Sequence, residues 1–206
     1  MPPLLTENLT MIFRRIIEID QWLFHQINQV WVNPVFDHIF VFIRQAELWV
    51  PFYLFLLVLA LVNFGKKGIW WSATLIMTVI ISDLISSSVI KNLIFRFRPC
   101  RNPELADQVR LLANYCPQSS GFTSSHACNH FTMAVFIFIT LKSTGSWRWL
   151  LFLWAFSISY AQVYVGVHFP IDITGGALVG SLIGYSMSVF FRKQFGPLSL
   201  KLSSHA

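Results

Sequence analysis

The chain has 206 residues, 55% of them hydrophobic and only 12% charged, against about 25% charged residues in an ordinary soluble domain. A mean hydropathy of +0.59 and long uncharged runs exclude a conventional soluble core and point to the bilayer as the solvent. The formal net charge of +6 suits contact with anionic lipid or an anionic substrate, and no nucleic-acid partner is expected.

The length suits one domain, without a long linker, a low-complexity tract or an internal repeat. The first apolar stretch, MIFRRIIEIDQWLF, is interrupted by Arg14, Arg15, Glu18 and Asp20 and does not read as a cleavable signal peptide. Region 1–47 is expected to hold an interfacial amphipathic helix plus a first span, or two half-buried helices. Five apolar runs follow, at 48–64, 68–90, 124–141, 149–167 and 171–191, each read as a membrane helix. The predicted fold is all-α, a polytopic transmembrane helix bundle of about six membrane helices. Its core is 48–191, a polar catalytic loop lies on the outer face, and 192–206 form a cytoplasmic tail.

Alternating spans put Lys66 and Lys67, Lys142 and Arg148, and Arg192 and Lys193 on one side, which the positive-inside tendency makes cytoplasmic. The long loop 91–123 and the short loop at His168 then face outward. That long loop is itself basic, with Lys91, Arg96, Arg98, Arg101 and Arg110, so its charges call for a functional explanation. In the last span Gly176, Gly180, Gly184 and Ser188 recur every four residues and form a flat face for close helix packing.

Three polar stretches share the outward side. In KNLIFRFRP, Lys91 to Pro99, a lysine and arginines at a helix end are either snorkelling cations or a clamp for phosphate oxygens. In GFTSSHACNHF, Gly121 to Phe131, Ser124 is a plausible N-cap, and the free amides around Ser125 and His126 would face the loop as an anion site. His126 and His130, with His168, could be read as a zinc site, but the residues between the first two do not match a zinc motif such as H-E-x-x-H and no metal is expected. In AQVYVGVHFPID, Ala161 to Asp172, Pro170 suits a first helical turn and Asp172 a position near the N-terminus. Asp172 is either a cap beside an interfacial histidine or the group that orients His168 as a nucleophile. Together the three supply a cationic cradle, a helix N-terminus, a proton donor and an oriented imidazole, the set phosphoryl transfer requires.

In these stretches the chain resembles the type 2 phosphatidic acid phosphatases, whose fold is shared with the vanadium haloperoxidases. The family pattern is K-x6-R-P, then P-S-G-H, then S-R-x5-H-x3-D. Lys91 to Pro99 matches the first in full; TSSH, Thr123 to His126, matches the second in its Ser and His; Ala161 to Asp172 matches the third in its His, Asp and spacing. The resemblance implies that His168 attacks phosphorus to form a phosphohistidine and that Asp172 orients it. It further implies that His126 protonates the leaving oxygen, and that Lys91, Arg98, Ser124 and Ser125 hold the phosphate, with no cofactor.

Gln162 stands at the family's second arginine and Ala161 at its serine. A glutamine can still donate to phosphate, but a neutral hydrogen bond contributes about 0.5–1.5 kcal/mol where a charged one contributes about 1.5–3. The loss would slow the reaction by roughly one to two decades unless Arg96 or Arg101 fills in, and Gln162→Arg is expected to lower the rate. Cys100 and Cys116 bracket the loop and are disulfide candidates in an oxidising compartment, while Cys128 reads as packing. Asp83, two turns below Lys91, reads as structural or as support for the site.

The expectation is a metal-independent membrane lipid phosphatase of the bacterial inner membrane, with its site facing the periplasm. Its partners are the bilayer and a lipid substrate. Undecaprenyl diphosphate, phosphatidic acid, phosphatidylglycerol phosphate and a lipid A phosphate share the phosphate these side chains would bind. A lipid phosphotransferase, or a lipid-binding or translocating protein without turnover, are the alternatives.

Overall fold

A computed structural model describes residues 3–199. Its elements are helices, the form in which backbone polar groups pair locally inside hydrocarbon. Helix α1, Pro3–His25, ends in a π-helical turn, Gln26–Val30. Helix α2, Pro34–Ile43, starts where the Asn33 side chain accepts from the Val35 amide at 2.8 Å with Pro34 in the first turn. Helix α3, Val50–Phe64, follows a 3-10 turn at Ala46–Trp49. Gly65, at φ +54°, both ends α3 and begins α4, a left-handed backbone that glycine adopts without strain. Helix α4, Lys66–Asp83, runs on through π-helical Leu84–Ile90 to a last turn at Lys91–Leu93. After the loop come α5, Ser125–Thr140, α6, Leu150–Tyr164, and α7, Pro170–Phe195.

Among the described residues three helices are long and apolar enough to cross a membrane: Ala46–Phe64, Lys66–Leu93 and Pro170–Phe195. The six membrane helices expected from sequence are not reached on that measure. Helices α5 and α6 have 16 and 15 residues. At 1.5 Å per residue they span about 24 and 22 Å, short of a hydrocarbon core of about 30 Å. The chain leaves the helix at Ser124 and beyond Tyr164 to present its polar stretches. Helix α2, with 10 residues, is too short to cross, and α1 carries Arg14, Arg15, Glu18 and Asp20. Residues 200–206 of the expected tail lie outside the described residues.

Helix α5 is central, packed on α4, α6 and above all α7. The glycine face of α7 makes this seam. A Cβ at Gly176, Gly180 or Gly184 would stand 2.6, 2.1 or 2.5 Å from the carbonyl oxygens of Ser124, Cys128 and Thr132. Backbone therefore meets backbone, and Thr132 Oγ1 donates to the Gly180 carbonyl at 2.9 Å. The Ser124 amide donates to the Asp172 carbonyl at 3.1 Å, so the first turns of α5 and α7 are held side by side. The site forms there.

The opposite end is an apolar plug of Leu56, Trp71, Phe136, Ile137, Leu151 and Phe191, where Trp71 Nε1 donates to Thr140 Oγ1 at 2.7 Å. Lys67 Nζ lies 3.5 Å from the Pro197 carbonyl and Ser143 Oγ donates to the Leu198 carbonyl at 3.0 Å, gathering the basic turns at this end. The outward helix faces are apolar, with Val62 76% and Leu182 68% exposed, which suits lipid as the neighbour. Cys100 and Cys116 are joined in a disulfide with Cα atoms 6.1 Å apart, and Cys128 is buried against Ser82.

Candidate active site

The last turn of α6 sets the position of His168. The Gln162 carbonyl accepts from the amides of both Val167 and His168 at 3.2 Å. The turn between them needs Gly166, at φ +87°, where a Cβ would come 2.8 Å from Val109. Pro170 then opens α7 and the Asp172 side chain accepts from the Phe169 amide at 2.9 Å, capping the helix with a carboxylate where its dipole favours one.

His168 is buried, with Nδ1 3.5 Å from Asp172 Oδ2 and Nε2 2.9 Å from Arg98 Nη1. A guanidinium can only donate, so Nε2 is the accepting nitrogen and the ring proton sits on Nδ1, toward Asp172. Burial pushes the His168 pKa down to about 4; the Asp172 carboxylate pulls it up and the Arg98 cation pushes it further down. The imidazole is therefore neutral at physiological pH. Arg98 itself is buried, its fork held by the Ser119 carbonyl at 2.9 Å, Ser119 Oγ at 3.1 Å, the Ser120 carbonyl at 3.3 Å and the Val167 carbonyl at 3.2 Å.

Two residues away, Arg96 takes the other side of the pair. Its Nη1 donates to Asp172 Oδ1 at 2.5 Å, its Nη2 binds Asp20 of α1, and the guanidinium lies 4.5 Å over the Phe169 ring. Asp20 Oδ1 also accepts from the Ile171 amide at 2.8 Å. Asp172 is thus fixed by a backbone amide and a cation, which leaves it charged opposite Nδ1.

Lys91, at the end of α4, donates to Ser125 Oγ at 3.0 Å. Ser124 caps α5 by accepting from the Ala127 amide at 3.4 Å. Because its own amide goes to Asp172, the free amides at this helix end are those of Ser125 and His126. His126 lines a cavity of about 580 Å³ between α3, α4 and α5, walled mainly by apolar residues such as Leu54, Leu57, Leu75 and Val79, with Asp83, Asn129 and His130 also on its lining. His130 Nδ1 donates to the His126 carbonyl at 2.7 Å, a bond within its own helix. Among the described residues no three His, Cys, Asp or Glu side chains converge as a metal site. What converges is a neutral imidazole with one nitrogen toward a carboxylate and the other toward cations, at a helix N-terminus beside an apolar cavity.

The PAP2 superfamily model matches residues 70–195. The chain belongs to that superfamily. It is 32% identical over 159 residues to a lipid A 4'-phosphatase of Bacteroides thetaiotaomicron, covering 74% of this chain and 68% of that protein. It is 30% identical over 144 residues to an undecaprenyl-diphosphatase of Sulfolobus acidocaldarius, covering 68% of this chain and 62% of that one. Among solved structures, Aquifex aeolicus LpxE superposes with a TM-score of 0.62 at 27% identity, over 82% of this chain and 94% of that chain.

Other basic residues of this PAP2 loop have other roles. Arg110 Nη1 pairs with Asp37 at 2.8 Å, Arg96 is committed to Asp20 and Asp172, and Arg101 is exposed. Neither Arg96 nor Arg101 stands in for the charge missing at Gln162. That side chain is 1% exposed, and its Oε1 faces Arg44, 3.4 Å from Nε and 3.3 Å from Nη2. Asp83 accepts from Asn129 Nδ2 at 3.1 Å and does not pair with Lys91. Sequence reasoning missed Asp20 and Arg44. Asp20 did carry a signal, a carboxylate inside an apolar run; Arg44, at the polar end of a short helix, carried none.

Proposed function

We propose that the protein is an integral-membrane PAP2 phosphatase that cleaves a lipid phosphate monoester through a phosphohistidine at His168. The observation that carries this reading is the His168 ring, held with Nδ1 toward Asp172 and Nε2 toward Arg98 at 2.9 Å. The entering phosphate takes over the Arg98 donor and frees the Nε2 lone pair. Nε2 attacks phosphorus, the P–O bond to the lipid breaks, and His126 gives a proton to the leaving oxygen. Water then gives a proton back to His126 and attacks phosphorus, the N–P bond to His168 breaks, and inorganic phosphate leaves. Lys91, Arg98, Ser125 and the amides heading α5 neutralise the equatorial oxygens. Ser124 contributes the cap, Gln162 donates from Nε2, and Arg96 holds Asp172.

The apolar cavity beside His126 supports a lipid as the leaving group. The similarity to lipid A 4'-phosphatases supports a sugar-linked phosphate monoester such as that of lipid A as substrate. The undecaprenyl-diphosphatase relative supports a second reading, the diphosphate of a polyprenyl lipid. The clustering of basic turns at the end away from the site supports a periplasmic site.

The test is release of phosphate by the purified protein from lipid A, undecaprenyl diphosphate and phosphatidic acid, before and after EDTA. Fastest release from lipid A, undiminished by EDTA, together with acid-labile phosphate trapped on His168, is expected. Loss with EDTA that added zinc restores would overturn the metal-free mechanism. Transfer of phosphate to a second lipid instead of water would make the enzyme a phosphotransferase.

A further inference from the structure

Gln162 is buried in the wall of the site with half of its amide unused. Its Oε1 must face Arg44, because a guanidinium offers only donors. Both hydrogens of Nε2 are then left without a partner among the described residues, in a side chain 1% exposed. A buried amide donor without an acceptor costs about 1–3 kcal/mol, and such groups are retained where a ligand completes them. The Gln162 carbonyl also holds the His168 amide at 3.2 Å.

Arg44 backs this amide from α2. It lies within electrostatic reach of Arg98 and of His126, and its Nη1 makes no hydrogen bond among the described residues. Two facts then need one explanation: a half-buried cation with no carboxylate partner among the described residues, and a buried amide with two unused donors. A phosphate dianion held by Arg44, Gln162 and Arg98 supplies it.

We propose that Arg44 and Gln162 act as one unit that binds the substrate phosphate. Arg44 brings in from outside the matched family region, 70–195, the charge that position 162 lacks. The unit rests on the phosphatase reading above and adds a phosphate-contacting arginine to it. Gln162 holds Arg44 through Oε1 and donates to a phosphate oxygen through Nε2. Arg44 donates to the same phosphate through Nη1, so Lys91, Arg98 and Arg44 together meet its negative charge.

The test uses the full-length enzyme in detergent, with a soluble lipid phosphate monoester as substrate and inorganic phosphate as inhibitor. Arg44→Gln should lower kcat/KM and weaken inhibition by phosphate, each roughly tenfold. Arg44→Lys should recover part of the loss. Gln162→Arg alone should also lose activity, because two guanidinium groups would crowd one site. The double variant Arg44→Gln with Gln162→Arg should return to within about threefold of wild type.

A purely structural Arg44 would lower the unfolding temperature without changing phosphate inhibition, and the double variant would not recover; that result overturns the proposal. Should Arg44→Gln misfold, the rise in unfolding temperature produced by inorganic phosphate decides on Arg44→Lys: a diminished rise supports the unit, an unchanged one overturns it. A wild-type enzyme that releases no phosphate from any substrate would instead overturn the phosphatase reading itself.

Discussion

The helices from α4 onward and the first 45 residues build the same site in different ways. From α4, α5 and α7 and the loops between them come Lys91, Arg98, His126, His168 and Asp172, placed by elements that the glycine seam of α5 and α7 holds together. From α1, the turn after it and α2 come Asp20, Asn28, Asp37 and Arg44, which reach across to the loop and the end of α6. Asn28 is fully buried, accepts from the Arg110 amide at 2.9 Å and donates to the Tyr164 carbonyl at 2.8 Å. Asp37 accepts from Arg110 at 2.8 Å and from the Tyr164 hydroxyl at 2.7 Å. In the proposed mechanism the later helices present the reacting groups, and the N-terminal segment fixes the charges around them. A substitution in the first set should therefore change chemistry at constant stability, and one in the second should change both.

The largest effect is expected at the proposed nucleophile. His168→Ala should remove phosphate release by roughly a thousandfold or more while circular dichroism and the unfolding temperature stay close to wild type. An active His168→Ala enzyme would sink the phosphohistidine mechanism and leave the comparison without its first half.

His126→Ala should discriminate between substrates. A general acid contributes roughly a hundredfold or more when the leaving oxygen is basic. A sugar or glycerol alkoxide is strongly basic, whereas a diphosphate leaves as a phosphate monoester, which departs without a proton. Monophosphate turnover should fall by about two decades and diphosphate turnover by much less. Equal losses on both would assign His126 to binding instead of proton transfer.

A smaller, mixed effect is expected from the N-terminal segment. Asp20→Asn keeps an acceptor for the Ile171 amide but leaves Arg96 with one carboxylate. Breaking a buried pair costs up to about 3–5 kcal/mol; the isosteric change and the part-exposed Arg96 should hold the loss below that. Activity is expected to fall roughly tenfold as Arg96 draws Asp172 toward itself, accompanied by a lower unfolding temperature. Unchanged stability with lost activity would move Asp20 into the first set.

How much of this is legible in the chain follows the same division. The spacing from Lys91 to Pro99, the four-residue step from His168 to Asp172, the cap at Ser124 and the proline opening α7 are local patterns, and local patterns survive in sequence. The glycine repeat gives the α5–α7 seam for the same reason. What the sequence hides is pairing across space. Arg96 and Arg98 read alike, yet an extended backbone at Arg98 sends one to Asp172 and Asp20 and the other to His168. Arg110 reads as one more loop cation until Asp37 is placed beside it. Ser124 reads as an anion-binding amide until that amide is seen bonded to Asp172. Among the described residues three helices reach spanning length rather than six, because α5 and α6 give up helical turns at the site end, where their polar residues are needed.

The finest test concerns His168 and acid. Its ring lies in the short loop between α6 and α7, where burial is the main cause of a pKa near 4, with Arg98 lowering it and Asp172 raising it. A neutral nucleophile persists until the folded pKa is reached, so kcat/KM should hold between pH 7 and 5 and fall as pH drops through about 4. The linkage has a definite sign. The unfolded chain takes up this proton near the ordinary value of 6.5, so the neutral buried ring contributes its full stability above 6.5. That contribution is lost progressively as pH falls from 6.5 to 4, with no further loss from this group below. Removing the Arg98 cation by Arg98→Gln should lower the rate and also move the acid limb upward, because the charge that opposes protonation is gone. The position of the limb is independent of the height of the curve, so it separates electrostatics from lost phosphate binding. A wild-type limb already at 6.5 would mean that solvent and Asp172 set the titration of His168, and would break the link drawn here between its burial and its readiness to attack.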